Sequence, residues 1–419
     1  MRRGSGRTQM SLNCNRKTVA FVTSLNYSGV EVRLHARAGD GAHSQQGFHE
    51  KESIVHLSNK PLNKRNKLRH SLALRAGAAA LALFGLTHFA APAQAQTEVQ
   101  LVESGSSLLY PLFNIWVEDY QSINPNIQIT TTSTGSGAGI AQAIKGLIQI
   151  GASDAYVSDA MAKMHPTILS IPLAISAQSI NYNLPGVTGL KLSGPILAGI
   201  YSGTITKWND PQIAAANPGV ALPANTIVPV HRLDGSGDTF IFSQYLSAST
   251  PSWKSSTGFG TTLSWPPITG EIGAKGNAGM LAAAKANPYS VAYIGVSYAA
   301  KVAAAGLGTA ALQNASGAYV LPTPDTIGAA AQSVAASTPP DERISMIFTS
   351  GPNNYPIVNY EYAVVDSNQP ATAYGDAIRA FLSWAITDGN SVKYLKQVNF
   401  LPLPPAVQTL SAAQIAKIQ

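Results

Sequence analysis

Ile227 to Tyr245 reads IVPVHRLDGSGDTFIFSQY. Ile227 to Val230 has the composition of a short strand. Asp234, Gly235, Ser236 and Gly237 make a small-residue loop, and the run from Asp238 to Tyr245 has helical character. The same grammar recurs twice. Val99 and Leu101 alternate with polar neighbours, Gly105, Ser106 and Ser107 turn the chain, and Leu112, Ile115, Trp116 and Tyr120 then recur at helical spacing. Pro111 fits the first turn of that helix, where a missing N–H costs nothing. Ile127 and Ile129 mark another strand, followed by Gly135 to Gly139 and a helical face of Ile140, Ala143, Ile144 and Leu147, with a further strand over Ile148 to Ser153. Alternating strands and helices predict an α/β fold.

Working outward, Val358 to Val365 reads as a strand, and Tyr374, Ile378, Phe381, Leu382, Ala385 and Ile386 line one face of a helix that Gly389 stops. The Ala-rich stretches Leu281 to Ala286 and Ala329 to Ala336 predict helices that pack without contributing chemistry. Of the 419 residues, 45% are hydrophobic and 12% charged, the balance of a globular chain of two or three domains. The formal charge of +7 lies at the front: residues 1–95 hold 14 of the 28 Lys and Arg but 4 of the 21 Asp and Glu, so the remainder has three negative charges in excess. A basic leader on a mildly acidic body argues against a nucleic-acid partner.

Residues 64–95 have the order of a secretory signal. Lys64, Arg65, Lys67, Arg69 and Arg75 precede the Ala- and Leu-rich run Ala76 to Ala90, and Ala93-Gln94-Ala95 supplies the cleavage site. The apolar run is shorter than the roughly 20 residues that span a bilayer. Residues 1–63 lie upstream of this signal, lack hydrophobic periodicity, and read as a non-native or discarded leader. The single cysteine, Cys14, falls in that leader, so the expected mature chain has no disulfide, no thiol chemistry and no cysteine for a lipid anchor. The expected location is the periplasm.

Loops that open helices present unpaired N–H groups and partial positive charge, which suits anions. Arg232 lies two residues before Asp234, close enough for the carboxylate to hold a guanidinium shaped to grip an oxyanion. Each feature has a plainer reading: a surface ion pair for Arg232 with Asp234, a turn residue for Asp154. Signatures of enzymes fail. Ser136 and Ser236 lack the spacing of a nucleophile elbow, no P-loop occurs, and only His165 and His231 follow the signal, too few for a His-based metal cluster. Glu98 to Gly105 reads EVQLVESG, the opening of an antibody heavy chain, but the absence of a cysteine pair and the predicted helices contradict a β-sandwich.

Four motifs in order carry a more specific likeness: GSSLLYP at Gly105 to Pro111, GSGAG at Gly135 to Gly139, GASD at Gly151 to Asp154 and HRLDGSGDTF at His231 to Phe240, joined by KWND at Lys207 to Asp210 and GNAGM at Gly276 to Met280. From about Val99 to the C-terminus the chain resembles the phosphate-binding protein of the bacterial phosphate-specific ABC transporter, the PstS family. The resemblance implies a periplasmic binding protein-like fold: two α/β domains joined by two hinge strands, with the ligand in the cleft. The expected boundaries are 97–178 and 357–419 for domain I and 179–356 for domain II, with crossings near Ser176 to Tyr182 and Tyr355 to Tyr360. By position, Ser107, Leu108, Ser136, Asp154, Arg232, Ser236, Gly237 and Asp238 correspond to the family's phosphate contacts, with Asp234 orienting Arg232. Asp238 departs from the Thr of many relatives, and the GSSLLYP and DGSGD forms resemble a mycobacterial subgroup; a second carboxylate there could accept another phosphate proton. The resemblance implies a binding protein, not an enzyme, without cofactor or metal, a monomer taking phosphate with arsenate as competitor, and a membrane permease as partner. The alternative is a secreted phosphatase on the same scaffold, with Ser136 or Ser236 as nucleophile.

Overall fold

Each of the Gly/Ser loops sits at the carboxyl end of a strand. The computed structural model describes residues 98–419 and, before them, three strands: Gln9–Cys14, Lys17–Asn26 and Gly29–Ala36. Contacts divide the chain into one unit of Met1–His88 and another of Phe89–Gln419. In the first, the three strands form an antiparallel sheet. This departs from the expected lack of periodicity: Val30, Val32 and Leu34 alternate with Glu31, Arg33 and His35, the period of a strand. The signal peptide and its cleavage site lie outside the described residues. Among the described residues, no helix is long and apolar enough to cross a membrane.

The second unit is α/β. Its main sheet runs, in spatial order, Ile272–Ala274, Val228–Arg232, Ser290–Gly295, Ile168–Tyr182, Val358–Asp366, Ile150–Ser153, Val99–Gly105 and Ile127–Ser133, with Gly308–Thr309 paired to the long strand Ile168–Tyr182. Val99–Gly105 is parallel to both neighbours, and Val228–Arg232 is parallel to both of its own. The strands between these two groups pair antiparallel. The fully buried strand Ile168–Tyr182 pairs with Val358–Asp366 as far as Ala177 and with Ser290–Gly295 from Gln178 onward, so the two parallel groups join through one continuous strand. The carboxyl ends of parallel strands gather the loops that open the helices, where α/β sheets place ligands.

The expected helices form as Tyr110–Ile123, Ser136–Ile144, Gly237–Ser249, Gly276–Ala286, Pro324–Ala335 and Thr372–Ile386. The EVQLVESG stretch supplies strand Val99–Gly105, which runs parallel to both its neighbours in a helix-covered sheet rather than in a β-sandwich. Leu147 is a correction: the helix stops at Ile144, and Leu147 is 67% exposed rather than on a core-facing stripe. Lys145 and Gly146 close the helix, Gly146 in a left-handed conformation with φ +64°, so the helical periodicity does not extend to Leu147. One core focus is aromatic. Phe113, Trp116 and Tyr120 of one helix pack on Phe381 and Trp384 of another at centroid separations of 5.1 to 6.4 Å.

Strand Val99–Gly105 carries an acid into the interior. Leu101, Glu103 and Gly105 share the buried face, and Glu103 accepts a hydrogen bond from the Thr131 hydroxyl with one oxygen and has no donor for the other. Burial pushes its pKa from the ordinary 4.5 to about 8. The folded state therefore holds a proton that the unfolded chain releases above 4.5. Stability from this group is fully present below pH 4.5 and is lost as pH rises to about 8, at up to about 1.4 kcal/mol per pH unit. Thermal melts of native protein and Glu103→Gln between pH 5 and 9 should diverge as pH rises, the variant having the shallower slope. Parallel curves would refute the burial account.

Candidate anion-binding site

The site is built where five strands end: Gly105, Ser133, Ser153, Arg232 and Ala274 are their last residues. Gly105 has φ +149°, and a Cβ there would stand 2.0 Å from the Ala152 carbonyl oxygen, so only glycine lets the first loop leave against the neighbouring strand. The loops approach backbone to backbone. Gly137 N–H donates to Gly235 O at 2.9 Å, and a Cβ on Gly237 would lie 2.4 Å from Asp154 Oδ2 and 2.5 Å from Ser136 Oγ. Gly237 thus brings the first turn of helix Gly237–Ser249 against the acid and hydroxyl of the opposite loops.

Arg232 is the buried cation of this cluster, only 4% exposed. Its Nε donates to Asp234 Oδ1 at 2.7 Å and its Nη2 to Asp234 Oδ2, the fork that the two-residue spacing anticipates. Its Nη1 donates to Asp238 Oδ2 at 2.6 Å and to Ser107 Oγ at 3.2 Å. Burial alone would favour the neutral form, but bonding to Asp234 and the charges of Asp238 and Asp234 raise its pKa further. For Asp234 the opposing effect of burial is outweighed by the Arg232 guanidinium and the Gly276 N–H, donated at 3.1 Å, so its pKa stays below the ordinary carboxyl value.

Asp154 is 2% exposed, and burial, then the charge of Asp238, pushes its pKa up. It accepts from the Ser106 hydroxyl and, at 3.3 Å, from Ser136, whose own oxygen accepts the Asp154 N–H at 3.2 Å. Ser236 caps helix Gly237–Ser249 by accepting the Thr239 N–H at 3.1 Å, which leaves its hydroxyl proton to donate. Ser107 Oγ is a meeting point of donors: Arg232 Nη1, Asn277 N–H and Asn277 Nδ2, the latter two at 3.0 Å. A cavity of about 560 Å³ borders this face, lined by Ser107, Thr134, Asp234, Lys275, Gly276 and Asn277.

Two expected contacts have different partners from those anticipated. Asp238 accepts from Arg232 and from Asn277 Nδ2 at 2.8 Å with one oxygen and from Gln178 Nε2 at 3.1 Å with the other, so the scaffold already uses much of its acceptor capacity. It is the buried counter-charge of Arg232. The Leu108 N–H donates to Ser106 Oγ at 3.0 Å, and a ligand oxygen there would have to share it. Ser106, Asn277, Gln178, Glu361 and Asn359 join the cluster without having been expected. Ser106 and Asn277 lie inside quoted motifs; the other three come from the strands between the two parallel groups and have no local signature.

Fold and site together define a solute-binding protein of the periplasmic binding protein class, with its site at the carboxyl ends of parallel strands. The sequence pattern of the PBP superfamily domain matches residues 90–389. A phosphate-binding protein PstS of Methanocaldococcus jannaschii is 36% identical over 332 residues, covering 74% of this chain and 84% of that one. Another of Xylella fastidiosa is 35% identical, covering 75% and 84%. A solved structure of a high affinity periplasmic phosphate-binding protein (PfluDING) bound with phosphate superposes with a TM-score of 0.61 at 20% identity, covering 75% of this chain and 93% of that one. The chain belongs to the PBP superfamily and, within it, to the PstS family of phosphate-binding proteins.

Proposed function

We propose that this protein captures one inorganic phosphate ion and delivers it to the permease of a phosphate ABC transporter. The carrying observation is Arg232, fixed by Asp234 and Asp238 beside a convergence of N–H and hydroxyl donors, with Asp154 packed against Gly237 of the same loop-helix unit. Relatives named as phosphate-binding proteins support the same ligand. In this reading, lobes 97–178 with 357–419 and 179–356 close on the ion by bending at Ser176 to Tyr182 and Tyr355 to Tyr360. Ser107, Ser136 and Ser236 donate hydroxyl hydrogen bonds, Gly237 and Leu108 backbone N–H, and Arg232 charge. The protein acts in the periplasm as a monomer, takes arsenate as a competitor, and turns nothing over. No observation favours the phosphatase: the ring of His231 lies on the Arg232 carbonyl and toward Glu271 rather than beside Ser136 or Ser236.

Calorimetry should give one phosphate per chain, and a chromogenic phosphate ester should be left intact by the same preparation. Small-angle scattering at saturating phosphate should report a smaller radius of gyration. Ester turnover would replace the receptor with an enzyme, and an unchanged scattering profile at proven saturation would remove the hinge.

A further inference from the structure

Asp154 has a second carboxyl group against it. Glu361 is fully buried on strand Val358–Asp366, and its Oε1 accepts from the Ser176 hydroxyl and from Asn359 Nδ2 at 3.1 Å. No protein donor reaches its Oε2. The charge of Asp154 opposes ionisation of Glu361, and a hydrogen bond between two carboxyl groups requires a proton on one of them. The Asn359 amide ties the pair together, since Nδ2 also reaches the Asp154 backbone oxygen at 3.3 Å.

A bulge lies beside Glu361. Glu361 pairs with Ala174 but Tyr362 with Pro172, leaving Leu173 as an extra residue in the long strand. Pro172 has no N–H to give the ladder, and bulges re-aim the side chains beside them.

We propose that Glu361 is a positioning residue for anion recognition: it carries a proton that it donates to Asp154, leaving the remaining lone pairs of Asp154 to accept a proton from the ligand. This rests on the phosphate reading above. Charge balance supports it. Asp154 faces Glu361 from the loop after strand Ile150–Ser153, Ser176 faces it from the long strand and Asn359 from its own; beyond Asp154 stand Asp238, Arg232 and Asp234. With every carboxyl ionised, four acids would surround one guanidinium before a phosphate arrived. A proton on Glu361 removes one of those charges without removing a hydrogen bond. Burial and the charge of Asp154 both push the Glu361 carboxyl well above its ordinary range.

The test is equilibrium dialysis of labelled inorganic phosphate against the full chain from pH 6 to 9, with sulfate as competitor. Native protein, Glu361→Gln and Glu361→Ala are compared, and melting curves report the fold. Glutamine is a neutral donor at every pH, so Glu361→Gln should bind phosphate within about twofold of native at pH 6 and keep the native discrimination against sulfate. Glu361→Ala should bind more weakly throughout and discriminate less against sulfate. An Ala variant with unchanged affinity and selectivity overturns the proposal, as does a Gln variant that discriminates against sulfate no better than the Ala variant. So does failure of Glu361→Gln to fold or to bind at pH 6, because a site that holds a neutral carboxyl accepts its neutral isostere. Native protein that binds no phosphate at any pH would instead refute the proposed function.

Discussion

Arg232→Ala is expected to weaken phosphate binding by about 2 to 5 kcal/mol, the usual consequence of truncating one partner of a buried hydrogen-bonded charge pair. Two effects add. The anion loses the guanidinium, and Asp238, 1% exposed, loses the cation to which it is bonded at 2.6 Å. An ionised buried carboxylate without its partner would then face phosphate directly. Arg232→Lys should recover only part of the affinity, because a single ammonium cannot span the Asp234 fork and reach Asp238 and Ser107 together. Combining Arg232→Ala with Asp238→Asn separates the contributions: a double variant that binds better than the single one shows that repulsion from Asp238 carries part of the loss. Calorimetry on the three proteins reads the result. An unchanged affinity in Arg232→Ala would mean that the anion binds elsewhere.

Asp154→Asn is expected to alter selectivity more than affinity. A carboxylate only accepts, and phosphate near neutral pH still has a proton to give, so Asp154 and the ion can share a charge-assisted hydrogen bond. Sulfate has none. In the closed cleft it would set an unpaired acceptor against a like charge, where an unmet buried polar group costs about 1 to 3 kcal/mol and more when charged. Native protein should therefore reject sulfate strongly while accepting arsenate, which is protonated like phosphate. The asparagine amide can donate, so the variant should narrow the gap between phosphate and sulfate by tenfold or so. The hydroxyls of Ser106 and Ser136 already occupy part of the Asp154 carboxylate, which directs its remaining acceptor capacity. The measurement is competition of sulfate against labelled phosphate in both proteins. Comparable native affinities for the two anions would reopen the ligand assignment itself.

Much of this site is legible along the chain because its parts are local. Arg232 ends a strand and Asp234 lies two residues on in the loop that follows, so their fork needs no long-range contact to be anticipated. The same holds for Ser236, which caps the helix that begins at Gly237. Strand, loop and helix each have a short period, and apolar spacing reports them directly. Leu147 shows the limit, since the pattern runs on for three residues after the helix has ended at Ile144.

What sequence alone determined here is the α/β alternation, the loops that open helices, and the Arg232 and Asp234 pair, all consequences of neighbours within about one turn or one loop. Tertiary structure decided the rest. It paired Asp238 with Arg232 as a buried counter-charge, with Gln178 and Asn277 as further donors 60 and 39 residues away. It set Glu361, 207 positions along the chain from Asp154, against that acid. Charges respond to whatever lies within a few ångströms in a dry interior, and only the folding of distant strands into one sheet determines which groups those are.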